Sequence, residues 1–301
     1  MLSFQNITIK TGKRIQIDDL SLEIPDGAVL CLTGSDLTAR FLMLKLGTGN
    51  LVPDRGEVLL DGISVTRESR RLFDRIGYLP RRNGNYRQIK VYEYYEMILA
   101  MYRIRGRNLR RRIEDVLTML SLQNYSNRYI EELPADAMPF FRMGSAFLHD
   151  PDWLFLDHPF EGLDAESRAG IVTLLLDLHE KGTSMILNTE MYPDLIGFIT
   201  DVAAIDNGKL GLCGQVEEVY ENLLKGSPVT MTVLSEMDLA LEVLKENSLV
   251  DRVIVKNNEV IFRFRGEEKE EAELLRDIVK KGALIQNYTR DRNQINEMFR
   301  S

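Results

Sequence analysis

The sequence predicts an α/β domain with a helical insertion, followed by a small α+β domain. Three observations carry that reading. Apolar strands alternate with helices over most of the first 225 residues. Between about 85 and 150 that alternation gives way to helical periodicity. From 226 to 301 the order becomes β-α-β-β-α-β, a split βαβ arrangement. With 301 residues the chain has room for two separate cores.

Taken in order, "LSFQNITI" and "IQIDDLSLEI" are short strands of alternating polarity, and "PDG" at 25–27 is a turn. "AVLCLTGSDLTARFLMLKLG", residues 28–47, reads as a buried strand, a turn at Gly34 and a helix from 38. "VPDRGEVLLDG" supplies another turn and strand, and "IGYLP" a short strand stopped by Pro80. "VYEYYEMILAMYRI" and "LRRRIEDVLTMLSL" place apolar residues three and four apart, as helices do. The alternation then resumes with strand "WLFLD", a helix over 165–181, and strands "SMILN" and "VAAIDNG". Such a pattern implies a largely parallel sheet covered on both faces. In the second domain "PVTMTVL" is a strand and "DLALEVLKEN" a helix. "DRVIVKNNEVIFRFRG" turns at Asn257-Asn258 as a hairpin, "EEKEEAELLRDIVKKG" is a helix with an acidic start, and "ALIQNYT" a strand. A short helix "QINEMFRS" closes the chain.

Composition narrows the function classes. The chain is 44% hydrophobic and 28% charged, which excludes disordered and collagen-like classes. A net charge of −8 argues against a general nucleic-acid binder. Two cysteines support neither a disulfide framework nor a zinc site, and Cys31 reads as a small buried hydrophobe. No stretch has the pattern of a signal peptide or the roughly 18 apolar residues of a membrane span. The expected location is cytoplasmic, with any membrane role exercised through a partner.

The order of elements resembles the ATP-binding subunit of an ABC transporter over nearly the whole length. "IDDLSLEIPDGAVLCLTG" is similar to the approach to that family's phosphate loop, and "LVPDRGEVLLDG" and "RIGYLP" to the segments before its glutamine loop. "LHDPDWLFLDHPFEGLD" is close to its Walker B and D-loop segment. The tail resembles the C-terminal extension of the bacterial drug- and peptide-export branch. The resemblance implies an ABC-type P-loop ATPase cassette over 1–225, with a helical subdomain at about 85–150, and a small α+β domain over 226–301.

A phosphate loop of the form G-x-x-x-x-G-K-[S/T] grips nucleotide with backbone N–H groups, a lysine ammonium and a magnesium-binding hydroxyl. The corresponding frame is Gly34-Ser35-Asp36-Leu37-Thr38-Ala39-Arg40-Phe41. Gly34 is kept. Ala39 replaces the second glycine, and its methyl group resists a left-handed backbone by about 1–2 kcal/mol. Arg40 replaces the lysine, a planar fork for a compact ammonium. Phe41 has no hydroxyl for a metal, and Asp36 adds negative charge. A helix N-terminus still favours an anion, so weak ATP and magnesium binding stays open, but no cofactor is assigned.

The other positions implied by the resemblance are altered too. Thr11 stands where the family stacks adenine, and Arg81 at its glutamine. "LPADA" (133–137) stands at the signature, with Asp136 set to repel a phosphate. Asp157 keeps the Walker B aspartate, but His158 takes the catalytic glutamate's place and Glu190 the switch histidine's. The D-loop is intact, with Gly162, Leu163 and Asp164 as candidate dimer-interface residues. The residues read structurally as well: Asp157 as a bond to a neighbouring loop, His158 as a surface or interface side chain, and Arg40 as a partner of Asp36 or Asp157.

"YRIRGRNLRRR" (102–112), with Arg81, Arg82 and Arg87, is a local basic cluster. It reads as a solvated helix face or as a docking surface beside anionic headgroups. Arg81, Tyr92, Tyr94 and Tyr95 are candidate permease contacts, with Tyr102 beside them; several of the tyrosines read equally well as core. The expected function is a degenerate, pseudo-ATPase subunit. It docks on a membrane permease at the inner face of the cell membrane and dimerises with itself or a second cassette. The alternatives are an active ABC ATPase with altered catalytic residues and a cytosolic pseudoenzyme scaffold.

Overall fold

The computed structural model describes residues 1–82, 86, 88–190, 195, 197–219 and 228–290. The chain divides after Gln215 into two compact units. The junction expected at 225/226, Arg87 and the expected helix "QINEMFRS" lie outside the described residues.

The first unit holds two sheets. β1 (Leu2–Thr11) and β2 (Arg14–Ile24) form a hairpin. β1 also pairs with β4 (Arg55–Leu60), and β4 with β5 (Ile63–Ser64), in the antiparallel order β2-β1-β4-β5. Alternation puts Leu20, Leu22 and Ile24 of β2 inward, and a register shift between Ile17 and Leu20 brings Ile17 to the same face.

The second sheet has the order β10-β9-β3-β8-β7-β6. Its strands are β3 (Val29–Thr33), β6 (Ile76–Leu79), β7 (Trp153–Asp157), β8 (Ser184–Asn188), β9 (Asp201–Asp206) and β10 (Lys209–Gln215). All pairs are parallel except β9 with β10. Every residue of β3, β7 and β8 is buried, the signature of central strands covered on both faces. β10 was not anticipated. Its "KLGLCGQ" is interrupted by glycines and exposed on alternate residues.

Helix α1 (Leu37–Gly47) anchors the core between the sheets. Ala39, Met43, Leu44 and Leu46 join a cluster with Leu2, Phe4 and Ile17 from one sheet and Trp153 and Phe155 from the other. Burying a large aliphatic or aromatic side chain in this way contributes about 1.5–3 kcal/mol.

A short α2 (Ser69–Leu72) leads to β6, and the helical insertion contains α3 (Val91–Met101), α4 (Gly106–Met119) and α5 (Ala137–Phe147). On α3 the stripe Val91, Tyr94, Tyr95, Ile98 and Leu99 is buried. Tyr95 is fully buried, donates its hydroxyl to Phe141 O at 2.8 Å and stacks on the Phe141 ring. Tyr94 and Tyr95 are therefore core residues, not the permease contacts expected from sequence; Tyr92 alone of the three stays half-exposed. Part of the basic cluster is structural too. Arg112 donates to Leu148 O at 2.7 Å and Phe147 O at 3.0 Å and pairs with Asp150, capping the carboxyl end of α5. Helix α6 (Ala165–Glu180) follows β7. No helix among the described residues is long and apolar enough to cross a membrane.

The second unit has β11 (Pro228–Ser235), α7 (Met237–Glu246), β12 (Val250–Lys256), β13 (Glu259–Phe264), α8 (Glu268–Lys280) and β14 (Leu284–Arg290). The sheet order β12-β13-β11-β14, antiparallel throughout, is that of a split βαβ fold. Val229, Met231, Phe262 and Phe264 of the sheet pack with Leu244, Leu274 and Ile278 of the helices.

Candidate functional site

The site lies at the carboxyl ends of β3, β8 and β7. Leu32 is in register with Asn188, and Asn188 with Asp157. In an open parallel sheet this rim is where ligands are received. β3 delivers Thr33 and Gly34, β8 delivers Asn188, Thr189 and Glu190, and β7 delivers Asp157 and His158.

The loop after β3 is drawn against the β9–β10 turn. Gly34 has φ +102, and a Cβ there would lie 2.4 Å from Ile205 O. Ser35 N donates to Asp206 Oδ1 at 2.8 Å, and the Ser35 hydroxyl donates to the same oxygen. These bonds hold the Asp206 carboxyl below its usual range. Asp36 N donates to Ile205 O at 3.2 Å, and Leu37 N to Ser35 O at 3.2 Å.

Asp36 then caps α1. Its Oδ1 accepts from Ala39 N at 2.9 Å and its Oδ2 from Gly208 N at 3.0 Å, while its carbonyl accepts from Arg40 N at 3.0 Å. The helix begins at Leu37, so Ser35 and Asp36 alone separate it from Gly34. Ala39 consequently sits in regular helix, and its methyl group meets no backbone penalty. Leu37, Thr38 and Phe41 point outward from the first turns of the helix.

Arg40 points inward. It is 1% exposed, and Nε, Nη1 and Nη2 have no hydrogen-bond partner among the described residues. The pairing with Asp36 or Asp157 expected from sequence does not form. Asp36 is spent on the cap and on Gly208. Asp157 Oδ1 accepts from Asn188 Nδ2 at 2.7 Å and lies 2.8 Å from His158 Nδ1. Burial pushes the Arg40 pKa down, opposed by Cys31, Glu190, Asp157 and Asp36. Burial likewise pushes the Cys31 thiol up to about 12, against the pull of Arg40. Thr33 Oγ1 and Asn188 Oδ1 also lack partners among the described residues.

His158, read from sequence as a surface or interface side chain, is partly buried, with 19% of its side chain exposed. It has φ +52, its N donates to Asn188 O at 2.8 Å, and its ring is held against Asp157. Glu190, by contrast, is exposed.

Arg81 turns back on the D-loop and clasps Glu161 with Nε and Nη2, the former at 2.7 Å. Arg142 on α5 donates to Pro80 O and Arg81 O at 2.9 and 2.8 Å, so the segment after β6 is tied to the helical insertion. In the D-loop, Gly162 has φ +75, Leu163 N donates to Phe160 O, and Asp164 caps α6 by accepting from Ser167 N at 2.8 Å. Asp136 precedes α5 and is exposed, without a side-chain cap bond.

Sequence reasoning missed Asp206, Gly208, Glu161 and Arg142. "DNG" at 206–208 was legible as a turn, but nothing local tells which loop it will meet.

A family profile described as ABC transporter matches residues 17–161, the stretch that runs from β2 to the D-loop. The first unit has the fold of an ABC transporter ATP-binding cassette. The sulfate/thiosulfate import ATP-binding protein CysA of Synechocystis sp. is 24% identical over 235 residues, covering 78% of this chain and 65% of its own length. Among solved structures, the ATP-binding cassette MJ1267 of an ABC transporter superposes with a TM-score of 0.66 at 19% identity, covering 74% of this chain and 94% of its own. The cassette MJ0796, solved as a dimer bound to ADP and Pi, gives 0.64 at 20% identity, over 72% of this chain and 99% of its own. The cassette fold is thus nearly complete in the neighbours, and the second unit falls largely beyond it.

Proposed function

We propose that this chain is an ABC transporter ATP-binding subunit whose cassette has given up ordinary ATP hydrolysis. It docks on a membrane permease, pairs with itself or a second cassette, and contributes shape and coupling instead of chemical power. One observation carries the reading: most of the backbone donors that would cradle a triphosphate already have protein acceptors. Ser35 N, Asp36 N, Leu37 N, Ala39 N and Arg40 N are all engaged within the chain.

A magnesium nucleotide in the ordinary pose does not fit the residues present. Phe41 has no hydroxyl, the helix starts at Leu37, and Arg40 is buried under the loop. The signature segment adds Asp136, whose charge opposes a phosphate reaching across from a partner. Pairing is supported by the dimeric MJ0796 cassette, and a permease by the family itself. Tyr92 and the arginines of the helical insertion remain the proposed docking residues, at the membrane's inner face.

Calorimetric titration with Mg-ATP tests this. Wild type is expected to show no micromolar binding, and Arg40→Ala to change nothing. Micromolar binding that disappears in Arg40→Ala would return the cassette to the working ATPases, with His158, oriented by Asp157, as its base.

A further inference from the structure

The two ends of α4 carry opposite surroundings. At its amino end Arg103, Arg105, Arg107 and Arg110 are exposed, and none of their side chains has a partner among the described residues. Arg105 stands at the N-cap without a side-chain cap bond, and the first turn holds no acidic residue. Cations there oppose the helix dipole, so helix stability does not account for them. Met101, 58% exposed, lies just before them.

At the carboxyl end, Met119 and Leu120 help to line a cleft of about 610 Å³ bounded by the start of α5 and by α6. Leu120, Phe140 and Leu174 give it apolar surface. Gly170 lets Phe140 close on α6, since a Cβ there would lie 2.9 Å from the Phe140 ring. The charged residues that line the cleft are Asp136, Asp164, Glu166 and Asp177, with no cation among the described ones. Asp164 is committed to the cap of α6. Asp136, Glu166 and Asp177 are exposed, and their carboxylates have no partner among the described residues.

Such a cleft suits a segment that is cationic and partly apolar, and the stretch from Met101 to Arg110 is one. It cannot reach the cleft of its own chain, because α4 is a helix of 14 residues, a rigid spacer about 20 Å long. A second copy has no such restriction. Two copies placed antiparallel about a two-fold axis across α4 seat both segments in both clefts, a closed and isologous arrangement. Copies with a net charge of −8 repel one another on average, so a local match of opposite sign selects where they meet.

We propose that the acidic cleft between α5 and α6 receives the arginine segment at the amino end of α4 from a second copy of this chain. The contact goes beyond the proposed function. It occupies arginines which that function gives to the permease, so self-association and permease docking exclude each other.

Sedimentation velocity of the purified full chain, without nucleotide or permease, tests the contact on its own. Wild type is expected to dimerise at about 100 μM in about 50 mM salt and to associate at least tenfold more weakly in about 1 M salt. One variant carries Arg107→Glu and Arg110→Glu, the other Asp136→Lys and Asp177→Lys. All four positions are exposed, and Arg107→Glu and Asp177→Lys suit the helix ends they occupy. Each variant alone is expected to be monomeric. An equimolar mixture is expected to form a one-to-one dimer, because each contact then pairs opposite charges again. A wild type that stays monomeric, variants that associate as wild type does, or a mixture no more associated than its components overturns the proposal.

Discussion

Asp36 joins two distant parts of the chain through one carboxylate: Oδ1 caps α1 at Ala39 N, and Oδ2 holds Gly208 N in the β9–β10 turn. The loop after β3 is closed from both sides by this arrangement. Each oxygen does a separate job, which makes the residue testable by halves.

Asp36→Ala removes both bonds. A lost cap costs about 1 kcal/mol, and an amide left without its acceptor about 1 kcal/mol more. The expected loss is about 2 kcal/mol in urea unfolding. Asp36→Asn keeps a capping oxygen but turns the other into a donor, which cannot accept from Gly208 N. It is expected to lose about half as much. Equal losses for the two variants would show that the carboxylate charge matters and the geometry does not.

Tyr95 and Tyr92 separate packing from docking on the same helix. Tyr95→Phe keeps the stack on Phe141 and deletes the 2.8 Å bond to its carbonyl. The expected cost is about 1 kcal/mol of stability. Tyr92→Ala, on the half-exposed side, is expected to leave the unfolding midpoint within about 0.5 kcal/mol of wild type. Under the proposed docking, it should instead reduce recovery of the proposed permease when the subunit is purified from membranes. A Tyr92→Ala protein that still brings its permease down in full would remove Tyr92 from the docking surface.

The clasp between Arg81 and Glu161 looks strong and is expected to be weak. Both side chains are about half exposed, at 51% and 49%. Exposed pairs are worth roughly 0–1 kcal/mol, so a double-mutant cycle of Arg81→Gln and Glu161→Gln should give a coupling below about 1 kcal/mol. The coupling should fade in about 1 M salt, where charges are screened over a few ångströms. Arg81 holds the Glu161 carboxyl below its usual range. That contribution is present above the unfolded-state pKa and is lost as pH falls through the lowered folded value.

Much of the first unit was legible because its signals are local. β3, β7 and β8 are short apolar runs bounded by turns, and α1, α3 and α4 carry helical spacing. The separate four-stranded sheet was not legible. Its strands β1, β2 and β4 alternate as expected, but their pairing joins Leu2 to both Ile24 and Leu60, a matter of register between distant segments. The same limit governs the site. The residue types at 39, 40, 41, 158 and 190 could be read directly. Which charges would meet could not, because Asp36 bonds to Gly208 far along the chain and Arg40 has no hydrogen-bond partner among the described residues. For Tyr94 and Tyr95 the helical period was legible but the choice between core and contact was not, because aromatic residues suit a core and an interface equally.

His149 gives the chain a dependence on pH that the site does not involve. It is 7% exposed, lies face to face with Tyr102 at 3.8 Å, and has Nε2 3.1 Å from Ile76 O. The neutral ring donates from Nε2 to that carbonyl, while Nδ1 has no partner among the described residues. Protonation would place a second N–H where no acceptor waits. Burial accordingly lowers the pKa from 6.5 to about 4. The folded state therefore binds fewer protons than the unfolded state between these values. Stability from this group is fully present above pH 6.5, declines as pH falls, and is lost by about pH 4. The whole window corresponds to about 3 kcal/mol. His149→Phe keeps the stack on Tyr102 and removes the titration. Urea midpoints measured at several pH values between 7.5 and 4.5 should fall less steeply for this variant than for wild type. Parallel profiles would mean that His149 protonates in the folded protein as readily as it does in water.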